Sequence, residues 1–227
     1  TDQVVDVVEG RDGLIAARSP AQPRLTLICV STCDPARIAS LAARIDSPRV
    51  GFLEMPVSGT SGQVAKGDGV GLVAGPRDVA DAVSPVLDAV CPRREYLGAA
   101  GNGGKAKLAV NLVLGLNRGA LAEGLVFAAG MGLDPVAFLD VLRNSAAYSQ
   151  VMDIKGPLMA RREFQQPSSR VDQSYKDFTL MLDCARALNQ ELPFAAVYAE
   201  LMRGCMAAGE AQWDNAAILA EISRRRT

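Results

Sequence analysis

Gly101-Asn102-Gly103-Gly104-Lys105-Ala106-Lys107-Leu108-Ala109-Val110-Asn111 is the stretch at which the chain changes character. Before it, short apolar runs of strand length alternate with amphipathic helical patterns, and after it every segment reads as helix. The glycines lead straight into an apolar-periodic segment, residues 104–131, that contains no proline, so one long helix is predicted there. A glycine-rich turn at a helix start offers free N–H groups to an anion, but the Gly-Lys-Ser/Thr ending of a phosphate loop is absent. What remains is Lys107 and Asn111, spaced i and i+4, which puts an ammonium and an amide on one helical face. Spacing alone leaves solvated surface and working chemistry both open for this pair.

Toward the N-terminus, residues 24–30 (RLTLICV) form a compact apolar run that suits a buried strand of a parallel sheet. Asp34-Pro35 then supplies an N-cap and a first-turn proline for a helix with Ile38, Leu41, Ala42 and Ile45 on one face. Residues 50–53 (VGFL) and 70–74 (VGLVA) read as two further strands, and residues 78–90 as one amphipathic helix. In the loop between those strands, Ser58, Gly59 and Thr60 either turn the chain or receive a carboxylate with hydroxyl and N–H groups. Toward the C-terminus, Asp134-Pro135 opens a helix, residues 172–188 and 197–208 carry helical patterns, and residues 156–169 read as a short helix followed by a loop. Lys176-Asp177, inside a helical pattern, has by itself the look of a solvated pair.

The 227 residues are 49% hydrophobic, enough to bury the core of one large domain or two small ones. Lys and Arg number 24 against 25 Asp and Glu, so no global field favours nucleic acid or an anionic membrane, and neither is an expected partner. Five cysteines without Cys-x-x-Cys spacing and the absence of histidine give no disulfide framework and no expected metal site. The first residues lack a signal-peptide pattern and no apolar stretch is read as reaching the ~18 residues of a membrane span, so a cytoplasmic location is expected. The long helix is apolar on several sides, through Leu108, Leu112, Val113, Leu116, Leu121 and Val126, which predicts burial between domains or subunits.

Four segments, in order, carry a resemblance. They are Ser31-Thr32-Cys33-Asp34-Pro35 after a strand, Glu54-Met55-Pro56-Val57-Ser58-Gly59-Thr60, Gly101-x-Gly103-x-x-x-Lys107 followed by Asn111, and Lys176-Asp177-Phe178. Together they resemble the β-hydroxyacid dehydrogenases, the family of 3-hydroxyisobutyrate dehydrogenase, tartronate semialdehyde reductase and, more distantly, 6-phosphogluconate dehydrogenase. The resemblance implies an α/β part followed by an all-α part: a partial Rossmann-like parallel-sheet domain (1–97) and a C-terminal helical substrate and dimerisation domain (98–227), joined by a long interdomain helix. It also implies NAD or NADP as cofactor and a small 3-hydroxy acid or its semialdehyde as substrate. Lys107 would be the general acid/base and Asn111 its positioning partner. Ser58, Gly59 and Thr60 would hold the substrate carboxylate, Thr32 would lie near the nicotinamide, and Lys176 would reach the cofactor. A homodimer or homotetramer through the helical domain is implied as well. An ordinary lysine, with a pKa of about 10.4, is nearly all charged at neutral pH, so alcohol oxidation would require the amine form to be favoured.

Glu54 stands where the family has Asp, Thr60 where it has a second Gly, Val110 where it has the first of two Asn, and Gly69-Val70 where Thr-Leu or Asn-Leu is common. The family's opening Gly-x-Gly-x-x-Gly is not found, so the chain is expected to start after the pyrophosphate-binding turn and to hold the cofactor weakly by itself. Two alternatives follow: a non-catalytic or truncated member acting as a binding and dimerisation module, and an imine-type reductase on the same architecture. Imine reductases characteristically lack a lysine at the place of Lys107.

Overall fold

The computed structural model describes every residue except 17, 18, 20, 226 and 227. Two compact units emerge, Thr1–Val110 and Asn111–Thr227, and the division falls inside one continuous helix.

In the first unit, β1 (Leu25–Cys29) and β2 (Val50–Glu54) pair in parallel, with Leu25 opposite Val50 and Cys29 opposite Glu54. Their crossover is α2 (Pro35–Ile45), capped by Asp34, whose carboxylate accepts from the N–H groups of Ala36 and Arg37. A helix absent from the sequence reading, α1 (Asp2–Glu9), contributes Val8 to the cluster of Leu27, Ile38, Leu41 and Phe52. All five residues of β2 are buried. Phe52 faces that cluster, whereas Leu53 joins Met55, Val73, Val79 and Leu87 in a second one, which is why VGFL reads as a continuous apolar run.

The second set of strands is β3 (Val57–Ser58), β4 (Val70–Val73) and β5 (Arg94–Tyr96). β4 and β5 are parallel, but β3 and β4 are antiparallel. The parallel pairing expected of this domain holds for β1–β2 and β4–β5; β3, which the sequence reads as loop, runs antiparallel because its link to β4, through the five-residue α3 (Ser61–Ala65), is too short for a parallel crossover, which needs about a dozen residues or more. The helix expected over 78–90 is two, α4 (Arg77–Ala82) and α5 (Ser84–Val90), because Pro85 has no N–H to continue the ladder past Val83.

The joining helix is α6 (Asn102–Gly130), 29 residues long. Contrary to the sequence expectation, its length and an 18-residue window of mean hydropathy 1.4 match a membrane-crossing helix by composition. Its leucines, valines and alanines raise the window mean, while Asn111, Asn117, Arg118 and Glu123 interrupt the apolar run. In the second unit its face of Leu121, Ala122, Leu125 and Ala128 is buried. There α7 (Pro135–Arg143), α8 (Gln150–Arg161), α9 (Val171–Ala187), α10 (Pro193–Ala207), a 3-10 turn (Asn215–Ala217) and α11 (Ile218–Arg224) follow. α8 runs beyond the short helix expected there and contains Pro157, with Met152, Lys155 and Met159 directed inward. Gly115 of α6 lets the Phe178 ring close in, and Phe178 stacks on Tyr198 with centroids 4.2 Å apart. The polar loop after α8 is organised by Asp214, fully buried, which accepts at 2.7 Å from Lys155 Nζ and also from the N–H groups of Ser168 and Ala216.

Candidate active site

The first four N–H groups at the start of α6 have no intrahelical partner by geometry, and three of them are buried. Asn102 N–H finds the Ala99 carbonyl. Those of Gly101, Gly103 and Gly104 all donate to one side chain from another element, the carboxylate of Glu54 at the end of β2. Glu54 is 3% exposed, and burial pushes its carboxyl above the usual carboxylate range against the pull of those three donors. This contact explains the glycines. Gly101 sits at φ 95°, and a Cβ on Gly103 would stand 2.6 Å from the Leu72 carbonyl oxygen. They are there for chain geometry and close packing.

One and a half turns further on, Lys107 is 8% exposed and its Nζ donates to the Val57 carbonyl at 2.7 Å. Lys105, by contrast, is exposed and donates to the Asn102 side chain. Ser58 follows Val57 directly in β3, half-buried and opposite Val70, so the lysine ammonium is brought to the strand that carries the serine. Gly59 is exposed in the turn that follows. Thr60 is the N-cap of α3: its hydroxyl oxygen accepts from Gln63 N–H and its own N–H donates to the Gln63 side chain. The backbone donor of Thr60 is therefore already used, leaving its hydroxyl proton. Thr32 is half-buried in the loop between β1 and α2, at the carboxyl end of β1, where open α/β sheets bind their ligands.

In the second unit Asn111 Nδ2 donates to Asp177 Oδ2 at 3.1 Å, which fixes which end of the amide is oxygen. Lys176 is exposed and pairs with the other oxygen of Asp177 at 3.3 Å. Lys107 and Asn111 lie four residues apart on α6, one in each unit. Sequence reasoning did not assign roles to Glu54 or Asp177, although both lie inside the quoted motifs; a carboxylate two residues before the proline of one motif and beside the lysine of another was the available signal. Among the described residues there is no group of three metal-ligating side chains.

Comparison with known proteins gives these features a context. Residues 101–222 match the family model described as NAD-binding of NADP-dependent 3-hydroxyisobutyrate dehydrogenase, and residues 1–98 match that of the NAD binding domain of 6-phosphogluconate dehydrogenase. Glyoxylate/succinic semialdehyde reductase 2 of Arabidopsis thaliana is 29% identical over 226 residues, 100% of this chain and 62% of the relative, so the chain spans less than two thirds of that protein. The 2-hydroxy-3-oxopropionate reductase of Escherichia coli (strain K12) is 29% identical over 96% of this chain and 74% of its own length. Among solved structures, a 3-hydroxyisobutyrate dehydrogenase from Salmonella typhimurium superposes with a TM-score of 0.86 at 26% identity, over 96% of this chain and 75% of that one. With both halves matched by models of nicotinamide-dinucleotide binding, the chain belongs to the β-hydroxyacid dehydrogenase family of NAD(P)-dependent oxidoreductases.

Proposed function

We propose that the protein transfers hydride between a nicotinamide cofactor and a small carboxylate-bearing hydroxy acid or semialdehyde, with Lys107 handling the proton of the reacting oxygen. The observation that carries this reading is the buried Lys107 ammonium held at 2.7 Å by the carbonyl of Val57, next to Ser58. Lysine is among the residues least often buried to this extent. An ammonium has three N–H donors, and the one given to Val57 sets the direction of the others. In the reductive direction Lys107 donates a proton to the substrate oxygen as it becomes a hydroxyl; in the oxidative direction it takes that proton back. Ser58 Oγ, Gly59 N–H and the Thr60 hydroxyl are the donors for the substrate carboxylate. Asn111, oriented by Asp177, positions the reacting oxygen.

NAD or NADP fits the residues present: Thr32 stands at the carboxyl end of β1, and Lys176 offers an exposed cation for a phosphate or an amide. When bound, the nicotinamide supplies or accepts the hydride. The named activities of the relatives make glyoxylate, succinic semialdehyde, 2-hydroxy-3-oxopropionate and L-threonate the first substrates to try.

The test is turnover of the full-length protein, with NADH or NADPH for the carbonyl compounds of this panel and NAD+ or NADP+ for L-threonate, comparing Lys107→Ala with Lys105→Ala. Lys107→Ala should lose a factor on the order of 10²–10⁴ in kcat with cofactor affinity nearly unchanged. Lys105→Ala should match the wild type. An active Lys107→Ala would sink the role given to Lys107, and no turnover by the wild type across the panel would leave a binding module in its place.

A further inference from the structure

The start of α6 has no capping side chain of its own. Its first residues are Gly101, Asn102, Gly103 and Gly104, and the Asn102 side chain turns back to the Leu97 carbonyl. Regular helical bonding begins only with Lys105 N–H to the Gly101 carbonyl. Three buried N–H groups of this turn therefore depend on a single carboxylate that lies 47 to 50 residues earlier in the chain. A negative charge at this place also opposes the positive end of the helix dipole. The same short segment, Glu54 to Val57, supplies the carbonyl that holds Lys107 Nζ. The segment thus grips α6 twice, once at its first turn and once at the ammonium.

From this double grip we propose that Glu54 is a positioning residue of the reaction: by binding the N–H groups of Gly101, Gly103 and Gly104, it fixes the turn from which Lys107 is directed. The proposal rests on the reading of Lys107 given above. Glu54 touches neither substrate nor cofactor in this account, so its effect should fall on kcat and leave KM alone.

Glu54→Gln keeps size and one acceptor oxygen but sets an NH2 group against a backbone donor. In the full-length protein we expect kcat to fall at least tenfold, with KM for the carbonyl substrate and the dissociation constant for NADPH within about twofold. Amide hydrogen exchange across residues 101–107 should accelerate in parallel. Glu54→Asp keeps both oxygens and the charge while standing one methylene further back, and it should recover part of both losses relative to Glu54→Gln. If Glu54→Gln does not fold, Glu54→Asp is read against the wild type and should show a partial loss of kcat. Full kcat in a folded Glu54→Gln, or full kcat in Glu54→Asp where that variant is the one read, overturns the proposal. Lys107→Ala, assayed alongside, separates the two failures. If it is inactive while the Glu54 variants are normal, only the positioning role is lost; if it is active, the reading of Lys107 is lost.

Discussion

Glu54 marks the limit of what a single residue discloses in sequence. Lys107 and Asn111 were legible because helical spacing joins residues four apart, but the partners of Glu54 lie up to 50 positions away and are backbone N–H groups, which every residue possesses. The anchor of Lys107 is likewise a main-chain carbonyl, and Asn111 meets Asp177 across 66 positions. The raised Glu54 pKa has a consequence for stability. Its folded value lies above its unfolded one, so the native state binds more protons through that window, and stability falls as pH rises from about 4.3 through the raised value. Urea midpoints measured between pH 4 and pH 8 should show this decline in the wild type, and Glu54→Gln should lack it; equal slopes would contradict the buried carboxylate.

At the scale of elements, strong local chemistry was readable and weak local chemistry was not. Asp34-Pro35 and Asp134-Pro135 both open helices at the expected residues because cap and first-turn proline act locally. Removing such a cap, as in Asp34→Ala, should cost about 1 kcal/mol by chemical denaturation. β3 and β5, two and three residues long, carry too little periodicity to register, and their pairing is decided by β4 between them. The helix break before Pro85 was legible in principle, but the apolar pattern of residues 78–90 continues through it and conceals it. Gly115 is an element-level contact of another kind: a Cβ there would lie 2.4 Å from the Phe178 ring. Gly115→Ala should therefore destabilise by about 1–3 kcal/mol through overpacking, and a thermal midpoint equal to wild type would show that the stacked rings can yield.

Across the molecule, a change from alternating strands and helices to helices alone was visible at the glycine stretch, because hydrophobic period is a property of long segments. The buried ion pair of the helical unit was not, since it joins Lys155 to Asp214 over 59 positions. Burial alone would push Asp214 up, but the Lys155 ammonium and the N–H donors around it win, holding it below the ordinary carboxylate range. Its contribution is present above the unfolded value and is lost as pH falls through the depressed one. Breaking the pair by Lys155→Ala should cost about 3–5 kcal/mol, which denaturation of the full-length protein measures. We also propose assembly with a second copy of the chain through the helical unit, where Phe127, Met131, Leu188 and Phe194 are exposed; sedimentation showing only monomer at high concentration would refute it. A final consequence belongs to Gly101 and Gly103. Each is confined by neighbouring backbone, Pro35 in one case and Leu72 in the other, so substitution there should reduce how much protein a cell accumulates. A mutational scan read once for abundance and once for turnover would therefore separate positions that look alike in the motif. Gly101 and Gly103 should be depleted in both screens, while Lys107 should be depleted only in the second. The glycine signature, taken by itself, is then a mark of how this chain is built, and it would persist in a descendant that had abandoned catalysis.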